Sequence, residues 1–513
     1  MATFKKYDIG ESFTVEINLA TYLPETHLSK QIEKIVSELD ITAIESQYSS
    51  IGQNAYHPMM LLCIIFYGYT IGIRSGRKLS TACKEHIDFL YLSKGHHPSK
   101  SVLNDFRKAN YQHFENLFLQ VLQKCIALNL VDTDLSIVDG SKIGANSSKR
   151  ATKTAEQYEK WKTHLQEDIA SLDKELKELS THSQSTDNSS QDSQDQIALK
   201  KKLRKQQSLC TKIDTAITQL GKQEADAKLN LTDEDSIIMK GKKGNFDTFY
   251  NTQAACTENQ IITYCDVVLD GNDKNQLVPA LKGVAKNTGK KVSQVLADAD
   301  YGTFDSFEYM DLNKIEGYVP YRDMNTTYPD KTFHRFNFTY DKQKDEYICP
   351  NKQTLSLYSS RTDKQRQQEF NRYRTDACKT CPFQKQCCKP GTARRVIERE
   401  VRQDLKDKMK QRLNSPQGQK IYQKRLHPIE ALFGQLKSNL GYTHFLLRGL
   451  EKVKAEFTLM CLTHNLRKMI GLLWAILSFL WQPRVKMVRF FRKFYFPRYV
   501  NELNLNTLDI LTI

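Results

Sequence analysis

Two short apolar runs that each lead into an aspartate constrain this chain more than any other feature. LSIVD, residues 135–139, is followed by Gly140, and VSQVL, residues 292–296, is followed by Ala297 and Asp298. Runs of that length and composition read as buried strands. In sheets that carry helices on their faces, chemistry gathers beyond the carboxyl ends of strands, which is where both aspartates fall. An ordinary turn aspartate ahead of a glycine is the plainer reading of Asp139. Around these runs, 249–256 and 260–268 read as paired strands joined by a short turn. Residues 276–288 and 305–312 read as helices, and 317–320 as a further strand. Strand, hairpin, helix, strand, helix, strand is an α/β pattern.

A chain of 513 residues is too long for one ordinary core, so several domains are expected. Lys and Arg number 75 against 59 Asp and Glu, a net charge of +16. That excess favours a polyanionic partner, nucleic acid before a membrane surface. No apolar run follows Met1, as a secretory signal requires. Twelve cysteines without such a signal point to a reducing compartment, the cytoplasm, and to thiols or metal ligands. The longest apolar run, MIGLLWAILSFLW at 469–481, is shorter than the ~20 residues a spanning helix needs.

Residues 1–130 read as a helical domain. Leu28, Ile32, Ile35, Val36 and Leu39 form a helical stripe, and 58–71 is apolar on nearly all sides. Arg74, Arg77, Lys78 and Arg107 could face DNA, although plain surface charges fit them equally. Residues 152–225 read as an inserted helical hairpin, 152–179 against 197–220. The polar tract THSQSTDNSSQDSQDQ between them buries too little surface to fold. A dimerisation arm, a DNA arm and an inert insertion all suit it.

Residues 322–398 read as polar and irregular, and contain Cys349, Cys378, Cys381, Cys387 and Cys388. Cys378-x2-Cys381 is a metal-type knuckle. With Cys349 and Cys387 it could close a tetrahedral zinc site, which folds a segment with little core. Free thiols are the competing reading.

The stretch YQKRLHPIEALFGQLK spans 422–437. Pro428 suits the first position of a helix, which sets Glu430 in the first turn, where the backbone dipoles favour a carboxylate. Glu430 and Lys437 then share a face two turns apart, with Gly434 low between them and Tyr422 and Arg425 just upstream. A surface Glu and Lys on an amphipathic helix would give the same spacing. A periodic helix follows at 447–469. The tail 471–513 then interleaves Arg and Lys with Phe and Tyr, which suits nucleic-acid stacking or a membrane surface, or simply a packed or poorly ordered end.

Asp139, Asp298 and Glu430, in that order, resemble the acids in the RNase H-like core of DDE transposases from bacterial insertion sequences. AYHPMMLLCIIFYGYTIGIRSGRKL and SVLNDFR look like the helical domain of one branch, the "eleven-eighty-two" type. VDGSKIGANSS resembles its first motif, and LADADYG its second. Tyr422-x2-Arg425-x4-Glu430-x6-Lys437 resembles its third, and LRGLEKVKAEF with HNLRK its closing helix. The cysteine pattern fits the branch too. Two departures stand out: Asp300 replaces the glycine expected before Tyr301, and the tail after Met469 has no counterpart.

The resemblance implies an α/β fold, with a mixed-sheet RNase H-like core built from 131–321 and 399–470. It implies an N-terminal helical DNA-binding domain at 1–130, the hairpin insertion at 152–225 and the Cys-containing insertion at 322–398. It implies cleavage and joining of double-stranded DNA at terminal inverted repeats, in the bacterial cytoplasm at the nucleoid, by at least a dimer on DNA and without a membrane. Asp139, Asp298 and Glu430 would hold two Mg²⁺ (or Mn²⁺) ions about 3.5–4 Å apart. Without the ions, crowding should raise the pKa of at least one acid. Tyr422, Arg425 and Lys437 would contact phosphates. A non-catalytic DNA-binding descendant and a stand-alone RNase H-like nuclease are the alternatives.

Overall fold

A computed structural model describes residues 16–481 apart from 17, 50–53, 183–190, 225, 242–243, 322–330 and 364–367. Strand β1 (Leu135–Gly144) lies at the centre of a mixed sheet. The small strands β2 (Thr152–Lys153) and β3 (Leu229–Asn230) pair with each other at the base of the helical hairpin. Strands β4 (Ile237–Lys240), β5 (Phe246–Cys256), β6 (Ile262–Val268), β7 (Gln294–Leu296) and β8 (Glu316–Tyr318) complete the central sheet. On one side of β1 runs β5, antiparallel, from Gly144 opposite Phe249 to Ile137 opposite Cys256. On the other runs β7, parallel, and beyond it β8, also parallel. Both β4 and β6 are antiparallel to β5.

Successive residues of a strand point to opposite faces, and here both faces are covered. Ile137 belongs to one buried cluster and its neighbour Val138 to the other. That is why LSIV shows no polar alternation beyond the small, buried Ser136. The first cluster packs the sheet against helices Pro58–Thr70, Phe114–Ala127 and Leu450–Trp481. The second packs it against Leu277–Thr288, Phe304–Leu312 and Met409 of Gln403–Asn414. The N-terminal helices therefore share a core with the sheet.

Two arginines read from the sequence as possible DNA contacts are interior ties instead. Arg74 pairs with the buried Glu456 at 3.2 Å, donates to the His444 carbonyl at 2.6 Å and lies over the Tyr442 ring. Buried Arg107 donates to the Tyr69 hydroxyl, the Arg74 carbonyl and Asn104 Oδ1. Both fill buried acceptors that would otherwise lack partners. Arg77 and Lys78 remain exposed.

The hairpin is present as helices Ala155–His182 and Gln191–Leu220, packed through Tyr158, Leu165, Ile213 and Leu220. Residues 183–190 of the polar tract lie outside the described residues. The Cys-containing segment is not irregular. It forms an antiparallel sheet of β9 (Thr339–Asp341), β10 (Glu346–Ile348), β11 (Thr354–Asp363), β12 (Gln368–Arg374) and β13 (Ile397–Glu400). Its polar strands hide a small core of Phe333, Phe338, Tyr347, Leu355, Tyr373 and Ile397.

Three details of the later helices differ from expectation. Helix Leu426–Gly434 begins two residues before Pro428, so Pro428 is its third residue and Glu430 lies past the first turn. First-turn N–H groups need no intrahelical partner, so proline is tolerated there as well. A π turn, Gln435–Asn439, follows and rotates Lys437 away from a simple two-turn alignment with Glu430. The closing helix runs Leu450–Trp481 and absorbs the apolar run. No helix among the described residues is long and apolar enough to cross a membrane. The basic-aromatic part of the tail lies outside the described residues.

Candidate active site beside the central strand

Asp139 sits within β1, not at its end. Its backbone pairs with Ala254, and β1 runs on to Gly144. On the other side β7 stops at Leu296, which pairs with Ile137. Asp139 lies two residues past Ile137 and Asp298 two past Leu296, so the parallel register brings both aspartates to one level. The Asp298 carboxylate accepts the N–H of Ala299 and caps the short turn Ala299–Tyr301. Asp139 accepts the Gly140 N–H at 2.9 Å. Asp300 is half-buried in that turn.

Arg425 reaches between the two acids from the junction of helices Pro416–Gln423 and Leu426–Gly434. Its Nη1 lies 3.8 Å from Asp139 Oδ2 and its Nη2 3.9 Å from Asp298 Oδ2. The residue is only 7% exposed, and Nε and Nη1 have no hydrogen-bond partner. The Tyr422 ring lies 5.9 Å from the guanidinium.

Burial pushes the Asp139 carboxyl up to about 6, although Arg425 and the Gly140 N–H pull it down; Asp298 and Asp273 add to the rise. Burial also pushes the Tyr301 phenol far up, with Asp273, Asp139 and Asp298 around it. That phenol donates to Gln253 Oε1 at 2.5 Å. Asp273 is the residue sequence reasoning missed. It accepts from Gln253 Nε2 at 2.6 Å and from Asn251 Nδ2 at 2.7 Å. Its signal was indirect: Asn251 and Gln253 are buried amides on one face of β5, and buried amides need partners. Gly140 faces this group closely. A Cβ there would meet Gln253 Nε2 at 2.5 Å and Asp273 Oδ1 at 2.7 Å.

The other two residues of the third motif are placed less directly. Ile429, Leu432 and Phe433 bury their helix against the core, which leaves Glu430 exposed. Lys437 Nζ donates to the Lys142 carbonyl on β1 at 2.5 Å. The structure thus brings Asp139, Asp298, Arg425 and Tyr422 together and ties Lys437 to the same strand. It does not converge Glu430 with the aspartates: among the described residues, no group of three or more His, Cys, Asp or Glu is set to hold a metal ion. The chemistry of the pair nonetheless fits a hard divalent cation, with carboxylate oxygens as donors and one desolvated carboxyl of raised pKa. Cys349, Cys378, Cys381, Cys387 and Cys388 line a single cavity elsewhere, under the small sheet.

Two family models match the chain. Residues 17–109 match a Transposase domain (DUF772), and residues 348–470 match a Transposase DDE domain. Helical region, mixed sheet and matched segments together make this a transposase. Within that class the two matches support a DDE transposase of insertion sequences. The DDE match contains Tyr422, Arg425, Glu430 and Lys437 and begins after Asp139 and Asp298, which therefore rest on geometry. No curated protein and no solved structure matches the chain.

Proposed function

We propose that this transposase cleaves DNA at the terminal inverted repeats of its own element and joins the freed ends to target DNA. The observation that carries the reading is the level placement of Asp139 and Asp298 across β1 and β7, with a buried arginine between them. An RNase H-like core is supported by the strand order, an antiparallel β6–β5–β1 meander continued by parallel β7 and β8.

In this reading Asp139 and Asp298 would hold Mg²⁺ or Mn²⁺, and Glu430, exposed and not converged with them in this structure, would join the set only after its helix moves. Divalent ions, when bound, stabilise the entering and leaving oxygens of phosphoryl transfer. Arg425 has two donor nitrogens without partners, and a phosphate would satisfy them with the planar fork that suits it. Tyr422 stacks beside that guanidinium, and Lys437 adds positive charge along β1. Tyr301, Gln253 and Asp273 fix the wall behind Asp139. Water adds its oxygen to phosphorus and the 3′ oxygen leaves. The freed 3′-hydroxyl then attacks a target phosphodiester in turn, exchanging one such bond for another without ATP. Residues 1–130 would bind the repeat, with exposed Arg77 and Lys78 available to phosphates. Pairing two ends requires at least a dimer on DNA.

The test is a strand-transfer assay with labelled terminal-repeat DNA, a target plasmid and Mg²⁺ or Mn²⁺. Joined product supports the proposal. Hydrolysis without joining would make the chain a nuclease, and binding without cleavage a DNA-binding protein only.

A further inference from the structure

The segment that carries the small sheet holds half of the protein's net charge. Residues 331–400 contain sixteen Lys and Arg against eight Asp and Glu, and the whole chain has a net charge of +16. The charge is gathered on one side. Leu355, Tyr373 and Ile397 turn one face of β11, β12 and β13 into the core. Side chains alternate along a strand, so the register puts Arg361, Arg372 and Arg374 on the other face. There Arg374 stands opposite Ser356, Arg361 opposite Phe370, and Arg372 between Ser359 and Glu398. The Arg374 guanidinium lies 4.0 Å from the centre of the Tyr358 ring. One acid orients the other two: Glu398 Oε1 lies 3.2 Å from Arg372 Nε, and Oε2 3.6 Å from Arg361 Nη2.

Beside this face lies a cavity of about 310 Å³, lined by Arg335, Arg372, Lys389, Arg394 and Arg395, with Glu398 as the acid among them. That is room for roughly ten waters, ample for a phosphate group. Arg335 Nη2 donates to the Glu398 carbonyl at 3.1 Å. Arg394 Nη2 lies 2.6 Å from Asp376 Oδ1, and its buried Nε has no hydrogen-bond partner. Lys389 is exposed, and its ammonium has no ion pair among the described residues. Edge protection does not account for this arrangement. Charges guard open sheet edges against pairing with another chain, but β11 and β12 are interior strands, flanked by β10 and β13. Five cations around one carboxylate repel one another, a cost that a bound anion removes.

We propose that this cavity and the arginine face beside it bind the phosphodiester backbone of duplex DNA, as a contact separate from the one at the aspartates. The inference rests on reading the protein as an enzyme that acts on DNA. Guanidinium forks match phosphate oxygens in pairs, and Lys389 adds a point charge. Phosphates carry no base sequence, so the contact adds affinity and orientation without selecting the site. The cavity shares no residue with the group of Asp139, Asp298 and Arg425, so binding here and cleavage there are separable.

The experiment is fluorescence anisotropy on the full chain over a series of salt concentrations, with a labelled terminal-repeat duplex and a scrambled duplex of equal length. Arg372→Gln and Lys389→Gln should each weaken binding about threefold to tenfold on both duplexes, and each should lower the slope of log affinity against log salt by about one. Lys291→Gln, which removes an exposed charge outside the small sheet, should stay within about twofold of the unaltered protein. Because Arg372→Gln also breaks a contact to Glu398, phenylglyoxal labelling of the unaltered protein gives a second reading. Bound DNA should slow the modification of Arg372 and Arg394, located by peptide mass spectrometry. Affinities and slopes of both variants equal to those of Lys291→Gln overturn the proposal, as does equal labelling of the two arginines with and without DNA. A loss confined to the terminal repeat overturns it too, because that marks base reading. No binding of either duplex by the unaltered protein overturns both this contact and the function proposed above. If the variants weaken binding as expected but the unaltered protein cleaves no DNA with Mg²⁺ or Mn²⁺, the contact stands and that function falls.

Discussion

Asp139 and Asp298 stand level across two parallel strands, and one guanidinium, that of Arg425, lies 3.8 Å from the first and 3.9 Å from the second. A cation bound by the pair would take over the neutralising role that Arg425 has in this structure. Arg425→Ala should therefore destabilise the metal-free protein by roughly 1–3 kcal/mol, since it leaves a desolvated carboxylate without compensation. Mg²⁺ or Mn²⁺ should raise the variant's melting temperature by more than it raises that of the unaltered protein. Equal shifts in a thermal melt would show that the arginine and the metal do not compete.

Gly140 has no room for a side chain. A methyl group there would push into Gln253 and Asp273, and through them shift the wall behind Asp139. Gly140→Ala should lower the cleavage rate at least about tenfold, because small displacements at a reacting centre are costly. Folding should survive, with a stability loss of roughly 1–3 kcal/mol. Rate and urea midpoint measured on one preparation separate the two effects. An unchanged rate would remove Asp273 from any part in the reaction.

The helical region and the closing helix are joined through Arg74 and Glu456, the latter 1% exposed. Glu456 also accepts the N–H groups of Leu446 and Leu447. Arg74→Ala strands a buried carboxylate and should cost about 3–5 kcal/mol in urea unfolding. Arg77→Ala and Lys78→Ala, at exposed positions, should leave stability within about 0.5 kcal/mol. They should weaken binding to the terminal repeat and reduce its salt dependence.

How far these positions could be read from the sequence depends on where their partners lie. The runs at 135 and 292 were legible because a strand covered on both faces is mostly apolar without a two-residue alternation, Ser136, Ser293 and Gln294 being the polar members. Asp298 was legible as the residue just past such a run. Arg74 was not, since Glu456 is 382 residues further along the chain. Asp273 was hidden in a polar loop, and only its two amide partners on β5 betray it. Strands β9 to β13 were missed because their core is a few aromatic rings scattered among polar residues, such as Tyr347 and Tyr373. Pro428 misled by two residues, since proline fits any position of a helix's first turn.

His464 is a pH-sensitive element of the core. Its Nε2 donates to the Gln260 carbonyl at 2.9 Å, and burial, with Lys468 and Arg467 nearby, pushes its pKa down to about 4. The folded pKa thus lies below the unfolded value of about 6.5. Its contribution is complete above pH ~6.5 and is lost as the pH falls toward about 4, by roughly 3 kcal/mol in all. His464→Gln should flatten the fall in stability across that window, measured by urea unfolding at a series of pH values. Parallel curves for the two proteins would show that His464 does not govern the acid limb.

The most direct measurement is cleavage of a labelled terminal repeat, with Mg²⁺ or Mn²⁺, by Asp139→Asn, Asp298→Asn and Glu430→Gln. Each variant should still bind the repeat and lose at least about a hundredfold in rate, the scale for removing a group that stabilises the charge developing in the reaction. If any one of the three cleaves as fast as the unaltered protein, that residue is not part of a shared cation site.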